Sequence, residues 1–502
     1  MQFTHRRRSQ LLQRLRRYEI RLSRLGMATM TTAALLTGGI ELQAQAQPVG
    51  DPVALSGEYI SNPYVATDSD GDFVVGWIDE ATTGYALKVQ RYDNMGTPDG
   101  AAITVATEGI QYQTGRISID LDDDGDFAIA WQYYGDLDFD MQIRARKYDG
   151  QGNPLTAELI VDVESSIKLI SPSVAMDDDG DFVVAWGDID YAQDSGSIYT
   201  RRFSSDGTPA AAATAIGSVS GIAVLVPPVV SMDDDDGNYV VGWQNDSVRI
   251  QRYDATGAAI GTTVAVAEAI GGFEATFLGL DMNDNGDLVV AWAGDNDSDQ
   301  RVIYSRQYNS ASPQGGSIFQ VNTNTEPWQA QPHVAINSAG EYVITWASGD
   351  VVSDFYLTPY YRQYDATGDH IGSEVSVTDF TNDFNAEPIA ALDDNGGFVI
   401  AWYSISDTDE GYFQQYAVPS SLAPVDAGSA LLLYPNPAAD WLHMQSAMPG
   451  RIAIYDALGR MVHHTTLVGN QNSIDVSTLH SGQYVLVHTD EHGAVSTAKF
   501  VK

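Results

Sequence analysis

The sequence predicts an all-β protein, a seven-bladed β-propeller followed by a small C-terminal antiparallel β-sandwich. Three observations carry this. Seven of the nine tryptophans recur at intervals of 49 to 57 residues. A glycine stands six positions before each of the seven. The repeats stop near Tyr416, and the remaining chain alternates apolar runs with glycine turns in a pattern of its own.

The anchors are Trp77, Trp131, Trp186, Trp243, Trp292, Trp346 and Trp402, with Gly71, Gly125, Gly180, Gly237, Gly286, Gly340 and Gly396 before them. The third repeat shows the unit in full. Pro172 to Met176 reads as one strand, Asp177-Asp178-Asp179-Gly180-Asp181 as a turn, and Phe182 to Trp186 as a second strand. Two β-type runs around an Asp/Asn-Gly turn are a strong short-range hairpin signal. A variable loop and a third run, Ile198 to Phe203, follow; a second turn at Gly207 (Gly96, Gly152, Gly257 and Gly368 elsewhere) leads to a short fourth run such as Ile103 to Val105. A four-stranded sheet of this size cannot bury both faces alone, and sheets repeated about an axis bury them on each other.

The last repeat ends after its third strand, while Pro52 to Leu55 stands as an orphan apolar segment before the first. The N-terminal segment is therefore expected to complete the seventh blade, a split for which a linear solenoid has no use. The tryptophans share a strand face with Phe73, Val75 and their equivalents. The residue before each is small (Gly76, Ala130, Ala185, Gly242, Ala291, Thr345, Ala401), as close packing between neighbouring blades requires. They read as core.

Composition sets the medium. The 502 residues hold 26 Lys plus Arg against 67 Asp plus Glu, a formal charge of −41, and no Cys, so there is no disulfide, thiolate metal site or Cys nucleophile. Most of the acid lies between residues 47 and 426, which repels phosphate backbones and anionic lipid heads and argues against nucleic-acid binding. The first 46 residues hold eight Arg, a mildly apolar run from Leu25 to Ile40 and then Ala44-Gln45-Ala46, the order of a secretory signal peptide cut before Gln47. No later stretch suffices for a membrane-spanning helix. The expected domains are a signal peptide at 1–46, the propeller at 47–418, a linker at 419–430 and a C-terminal module at 431–502.

Candidate sites follow from residue type. The Asp-x-Asp-Gly-Asp turns (Asp68, Asp70, Asp72; Asp122, Asp124, Asp126; Asp177, Asp179, Asp181) raise calcium as a cofactor. Their glycine is fourth where an EF-hand needs it sixth, and the chain re-enters a strand at once, so the favoured reading is turns closed on their own backbone. The short turns should share one rim, and the variable loops after each Trp and between repeats the other. That loop face holds the ligand candidates Tyr133, Tyr134, Asp138, Tyr191, Trp328, Phe355, Tyr356 and Tyr360, aromatic rings beside carboxylates that suit sugar stacking. Only His333 and His370 lie between residues 47 and 426, which leaves a histidine triad or multi-histidine metal site without parts. Arg91, Arg146, Arg202, Arg252, Arg306 and Arg362 recur in register and read as structural, paired with carboxylates; Arg116 and Arg249 are the least repeat-like.

The repeats are similar to the Asp-Gly-x-Phe-Val-Val-x-Trp repeats of secreted bacterial adhesin-like proteins, and faintly to the Asp-box hairpins of sialidase propellers. Neither resemblance implies a defined activity. Residues 431–502 carry Tyr434-Pro435-Asn436-Pro437, Tyr455-Asp456 with Gly459-Arg460, Leu479 with Gly482 and Tyr484, and a closing Lys499-Phe500-Val501-Lys502. This order resembles the C-terminal sorting domain of the type IX secretion system. The resemblance implies Sec export, recognition by the outer-membrane translocon, removal of the domain in the linker and attachment of the cargo to surface lipopolysaccharide. The expectation is a secreted or surface-attached, non-enzymatic binding or adhesion propeller with a glycan or protein ligand. The alternatives are a carboxylate-dependent glycan hydrolase or lyase on the loop face, and a calcium-responsive surface structural protein.

Overall fold

The computed structural model describes residues 45–502 apart from several loop segments, the larger being 111–115, 136–140, 163–167, 191–194, 221–225, 268–277, 324–327, 351–355, 379–383 and 419–431, and short stretches among 435–494. The signal-peptide expectation lies outside the described residues. Every regular element that is described is a β-strand, and no helix among them is long and apolar enough to cross a membrane.

The first five repeats each form a four-stranded antiparallel meander in chain order. In the first, Ile60–Thr67 pairs with Phe73–Ala81, that strand with Gly84–Tyr92, and the last with Ile103–Ala106. The sixth and seventh repeats share one nine-stranded sheet, joined through the parallel pair Leu357↔Phe384. The N-terminal segment pairs with the last strand of the seventh repeat, Asp409–Ala417. Gln47 and Pro48 lie opposite Ala417 and Tyr416, and Val53 and Ala54 opposite Phe413 and Tyr412.

The turns use the residue types the sequence offered. Gly71, Gly125, Gly180 and Gly237 sit at φ between 63° and 91°, the left-handed region. In six of the turns the first Asp or Asn accepts the N–H of the residue four on, as Asp122 Oδ1 does from Asp126 (2.8 Å) and Asp177 Oδ1 from Asp181 (2.8 Å); in the fourth, one residue longer, Asp233 Oδ1 accepts from Asp236 (2.8 Å).

The core lies between repeats, not within them. One cluster joins Val74, Ile78 and Leu87 of the first repeat to Ile117, Phe127 and Trp131 of the second. Equivalent clusters continue from repeat to repeat. The last packs Ala391, Val399 and Phe413 of the seventh against Val65, Phe73 and Trp77 of the first. Each tryptophan thus faces its predecessor's sheet, and the small residue beside it makes the approach possible: a Cβ on Gly76 would fall on Ile119, and one on Gly242 would lie 2.8 Å from Leu278. On their own sheets four of the rings stack on a tyrosine, as in Trp186–Tyr199 (5.8 Å) and Trp402–Tyr412 (5.7 Å), while Trp77, Trp131 and Trp243 lie opposite Lys88, Arg144 and Arg249.

Residues 432–502 form a three-stranded and a four-stranded antiparallel sheet. Both contribute to one core, with Leu442, Met444 and Ile474 from the first and Ile452, Ile454, Leu486 and Phe500 from the second.

Trp346 is fully buried, so Trp346→Ala should cost about 3–5 kcal/mol by lost transfer energy and the cavity left behind. Denaturant unfolding of the full chain checks this, and a loss under about 1 kcal/mol would contradict the inter-repeat core.

Candidate functional site at the mouth of the channel

The seven inner strands, the first of each repeat, surround a channel. A cavity of about 260 Å³ toward the turn face and one of about 110 Å³ toward the loop face are each lined by residues of all seven. Neighbouring inner strands do not form a common ladder, so their edge N–H groups need other acceptors. Side chains supply them at three levels.

At the turn rim, the residue after the first Asp or Asn of each turn reaches the next repeat. Ser69 N–H donates to Asp123 Oδ1 (3.0 Å), Asp123 to Asp178 Oδ1 (3.3 Å), Asp234 to Asp284 Oδ1 (3.1 Å) and Ser338 to Asp394 Oδ1 (3.0 Å). At the other three junctions a main-chain oxygen accepts: Asp178 N–H donates to Asp234 O (3.1 Å), Asp394 N–H to Ser69 O (3.2 Å), and Asn285 Nδ2 to Ser338 O (2.9 Å). Three residues down the strand, Asp120 accepts from Met176 N–H (2.8 Å), Ser231 Oγ from Met282 N–H (2.9 Å) and Asp281 from Ile336 N–H (2.9 Å). Two residues further, Ser118 and Ser173 hydroxyls accept from Val174 and Val230 (both 3.1 Å), and His333 Nδ1 accepts from Ala390 (3.3 Å).

The loop-side mouth departs from this regularity. Asn62, Gln331 and Glu387 occupy one register position and hold φ of 50°, 55° and 53°, rare for residues with a side chain. Each precedes a proline, Pro63, Pro332 and Pro388, and the strand register shifts there. Proline brings no N–H, so the bulge leaves no orphan donor. In the second repeat the equivalent residue is Arg116. Its guanidinium meets the Glu387 carboxylate at 2.9 Å, a pair formed between the second and seventh repeats, while Glu387 N–H donates to Gln331 Oε1 (3.0 Å). Two residues inward lie Tyr64 and His333, edge to face with centroids 6.1 Å apart. Burial pushes the Tyr64 hydroxyl up to about 12 and the His333 imidazole down to about 4, so Tyr64 stays a donor and His333 stays neutral. Because His333 Nδ1 accepts a backbone bond, its proton resides on Nε2.

The sequence candidates lie elsewhere. Asp138, Tyr191 and Phe355 fall outside the described residues. Tyr133 is capped by the Arg144 guanidinium at 3.2 Å, Trp328 by Arg301 at 5.3 Å, and Tyr360 stacks on Trp346 at 5.9 Å. Tyr134 donates its N–H to Gly109 O (2.8 Å), and Tyr356 is half-buried at the start of its strand. None of the five described candidates lines either cavity.

In the Asp turns, Asp72, Asp126 and Asp181 accept N–H bonds from the second turn of their own repeat, at Asn94, Gly150 and Ser205. Asp68, Asp122 and Asp177 close the first turn. Asp70 accepts Asn94 Nδ2 through its carbonyl, and Asp124 and Asp179 are exposed at the tips. Among the described residues no group of three or more His, Asp or Glu is arranged to hold a metal ion. Several recurring arginines bind main-chain carbonyls instead of carboxylates: Arg306 donates to Val266 O (2.8 Å) and Arg362 to Val321 O (2.6 Å), each on the preceding repeat.

In the C-terminal module, Tyr484 stacks on Phe500 at 5.4 Å, Lys499 is exposed, Lys502 is half-exposed and Tyr434 ends the first strand of its sheet, Leu432–Tyr434. Pro435, Asn436, Pro437, Gly459, Arg460 and Gly482 lie outside the described residues.

Residues 432–502 match the family of secretion-system C-terminal sorting domains, the tail of the type IX system. Proteins bearing it are secreted or attached to the cell surface, and this protein is one of them. No curated protein matches the sequence. Among solved structures, the polysaccharide lyase Uly1 is similar at 12% identity and TM-score 0.44, covering 77% of this chain and 94% of that one. An ulvan lyase of polysaccharide lyase family 25 is similar at 11% and 0.48 (73% and 96%). The β-propeller domain of the Trilobed protease from Pyrococcus furiosus is similar at 10% and 0.41 (74% and 98%). The expectation of a non-enzymatic protein is corrected: polysaccharide lyases are among these structures, a likeness of fold alone. Its ground also fails, because folding gathers His333, treated as isolated, with Tyr64, Arg116 and Glu387 around one cavity.

The turn side of the channel titrates. Burial raises Asp120 and Asp122 to about 7, and Asp177 and Asp281 to about 6, from the ordinary 3.8. The folded chain therefore holds protons that the unfolded chain releases, and this contribution is lost as pH rises through 6 and 7. Carboxylates held low by their own turns, such as Asp149 and Asp254, change charge only below that window. Tm should be higher at pH 5 than at pH 8, and Asp120→Asn should narrow the gap by raising the pH 8 value. A Tm that is flat or higher at pH 8 would contradict the burial account.

Proposed function

We propose that the chain is a secreted or surface-attached seven-bladed propeller that binds a glycan at the loop-side mouth of its channel. The observation that carries this is the meeting of Arg116, Gln331 and Glu387 with Asn62 above Tyr64 and His333, at the level where the repeats are least alike. A charged pair, two amides and an aromatic ring within one opening are what hydroxyl-rich ligands require, with donors and acceptors held in place before binding. Support for the seven-bladed closure is the run of inter-repeat clusters that ends with the seventh repeat packed on the first. Calcium at the acidic turns is the reading we place behind a purely structural role for them, since their oxygens accept backbone bonds.

A second reading, cleavage of the bound glycan, is favoured by one observation. Tyr64 and His333 place a protonated phenol and a neutral imidazole side by side on the channel wall near Glu387 and Arg116.

Binding of the full chain to a glycan array, followed by calorimetry on the positives, tests the proposal. Arg116→Ala should weaken binding at least about tenfold, the scale on which buried charged contacts act. Loss of affinity in step with a large loss of Tm, or no glycan bound by the wild type, would remove it. Glycan turnover that disappears in His333→Ala while binding persists would establish the second reading.

A further inference from the structure

We infer that the mouth selects neutral glycans over acidic ones and that Glu387 is the residue that sets this selectivity; the inference rests on the glycan reading above and names its ligand class. The cavity at the mouth contains one described cation, Arg116, and that cation is already spent on Glu387 at 2.9 Å. The other described lining residues, among them Asn62, Ser171, Gln331 and His333, carry no charge at neutral pH, with His333 held neutral by burial. The opening is therefore electrically balanced by a single ion pair.

Its surroundings are not balanced. In sequence, the connections that lead from one repeat into the next inner strand carry nine acidic residues, among them Glu58, Glu108, Asp162, Glu164 and Asp383, against Lys168 and Arg116 itself. A carboxylate or sulfate on a sugar would have to approach a chain of formal charge −41 and then displace Glu387 from Arg116, stranding a half-buried carboxylate. A neutral sugar needs neither step. Two adjacent hydroxyls can donate to Glu387 and accept from Arg116 together, adding to the pair without breaking it. Gln331 suits the same ligand, because its Oε1 is committed to Glu387 N–H and what it offers is its NH₂ donors.

The test titrates the full chain with neutral oligosaccharides (xylo-, manno- and gluco-oligomers) and with oligogalacturonate and sulfated galacto-oligomers of matched length, at low and high salt. Wild type should bind a neutral oligomer at least about tenfold more tightly than its anionic counterpart, and added salt should narrow the gap by screening. The isosteric Glu387→Gln should bring the anionic oligomer up at least about tenfold, because Arg116 is then released to it. Tighter binding of the anionic oligomers by wild type, or no anionic gain in Glu387→Gln, overturns the inference and leaves the glycan reading standing. No binding of either class overturns the glycan reading itself. The salt dependence of the wild type keeps the inference testable if the variant fails to fold.

Discussion

The architecture depends on how the edges of the inner strands are satisfied. Each repeat closes its own ladder, but its innermost strand turns an edge toward the next repeat, and a buried N–H without an acceptor is expensive. Acceptors on the neighbour answer at three heights, with carboxylates at the rim and a mixture of Asp, Ser and His below. Because each bond leads to the next repeat, the rim series runs on until Asp394 returns to Ser69. The tryptophan clusters follow the same order, so the polar and apolar contacts enforce one geometry twice.

The same constraint explains the carboxylates. Asp123, Asp178, Asp284 and Asp394 lie at a rim where each is an acceptor for another repeat's backbone or a neighbour of one that is. Asp72, Asp126 and Asp181 tie the two turns of one repeat together. A residue needed both for its turn and for its neighbour is held in a crowded set of like charges, and desolvation then lifts Asp120 and Asp122 out of the usual carboxylate range.

The fold was legible because period, glycine and tryptophan recur in the same register, and each has a local physical reason that sequence alone displays. The rim bonds were not legible, since an Asp in a turn shows its own backbone as the obvious partner and gives no sign of the repeat 50 residues on. The mouth was half legible. Arg116 stood out as least repeat-like, and Pro332 was visible beside His333, but Arg116 and Glu387 are 271 positions apart and only closure brings them together. A signal was available: aligned on the turn, proline occupies the same position in Pro63, Pro172, Pro228, Pro332 and Pro388, and the residue before it varies in a way packing does not demand. The loop aromatics drew attention instead, although Tyr133, Trp328 and Tyr360 are occupied by Arg144, Arg301 and Trp346.

The two ends of the channel differ for one reason. On the turn side each inner strand finishes in a regular hairpin, so its last residues are recruited to bond the neighbour and must be alike from repeat to repeat. On the loop side the strand is entered from a connection of variable length, and in three repeats a bulge with its proline interrupts the ladder at the mouth before pairing resumes beyond it. The residues at that position, Asn62, Arg116, Gln331 and Glu387, take no part in the ladder register yet are fixed in place by rare backbone angles or by mutual bonds. Freedom from the repeat combined with rigid placement is what a binding site needs. The bulge is therefore the feature that turns a symmetric scaffold into one with a single distinctive opening.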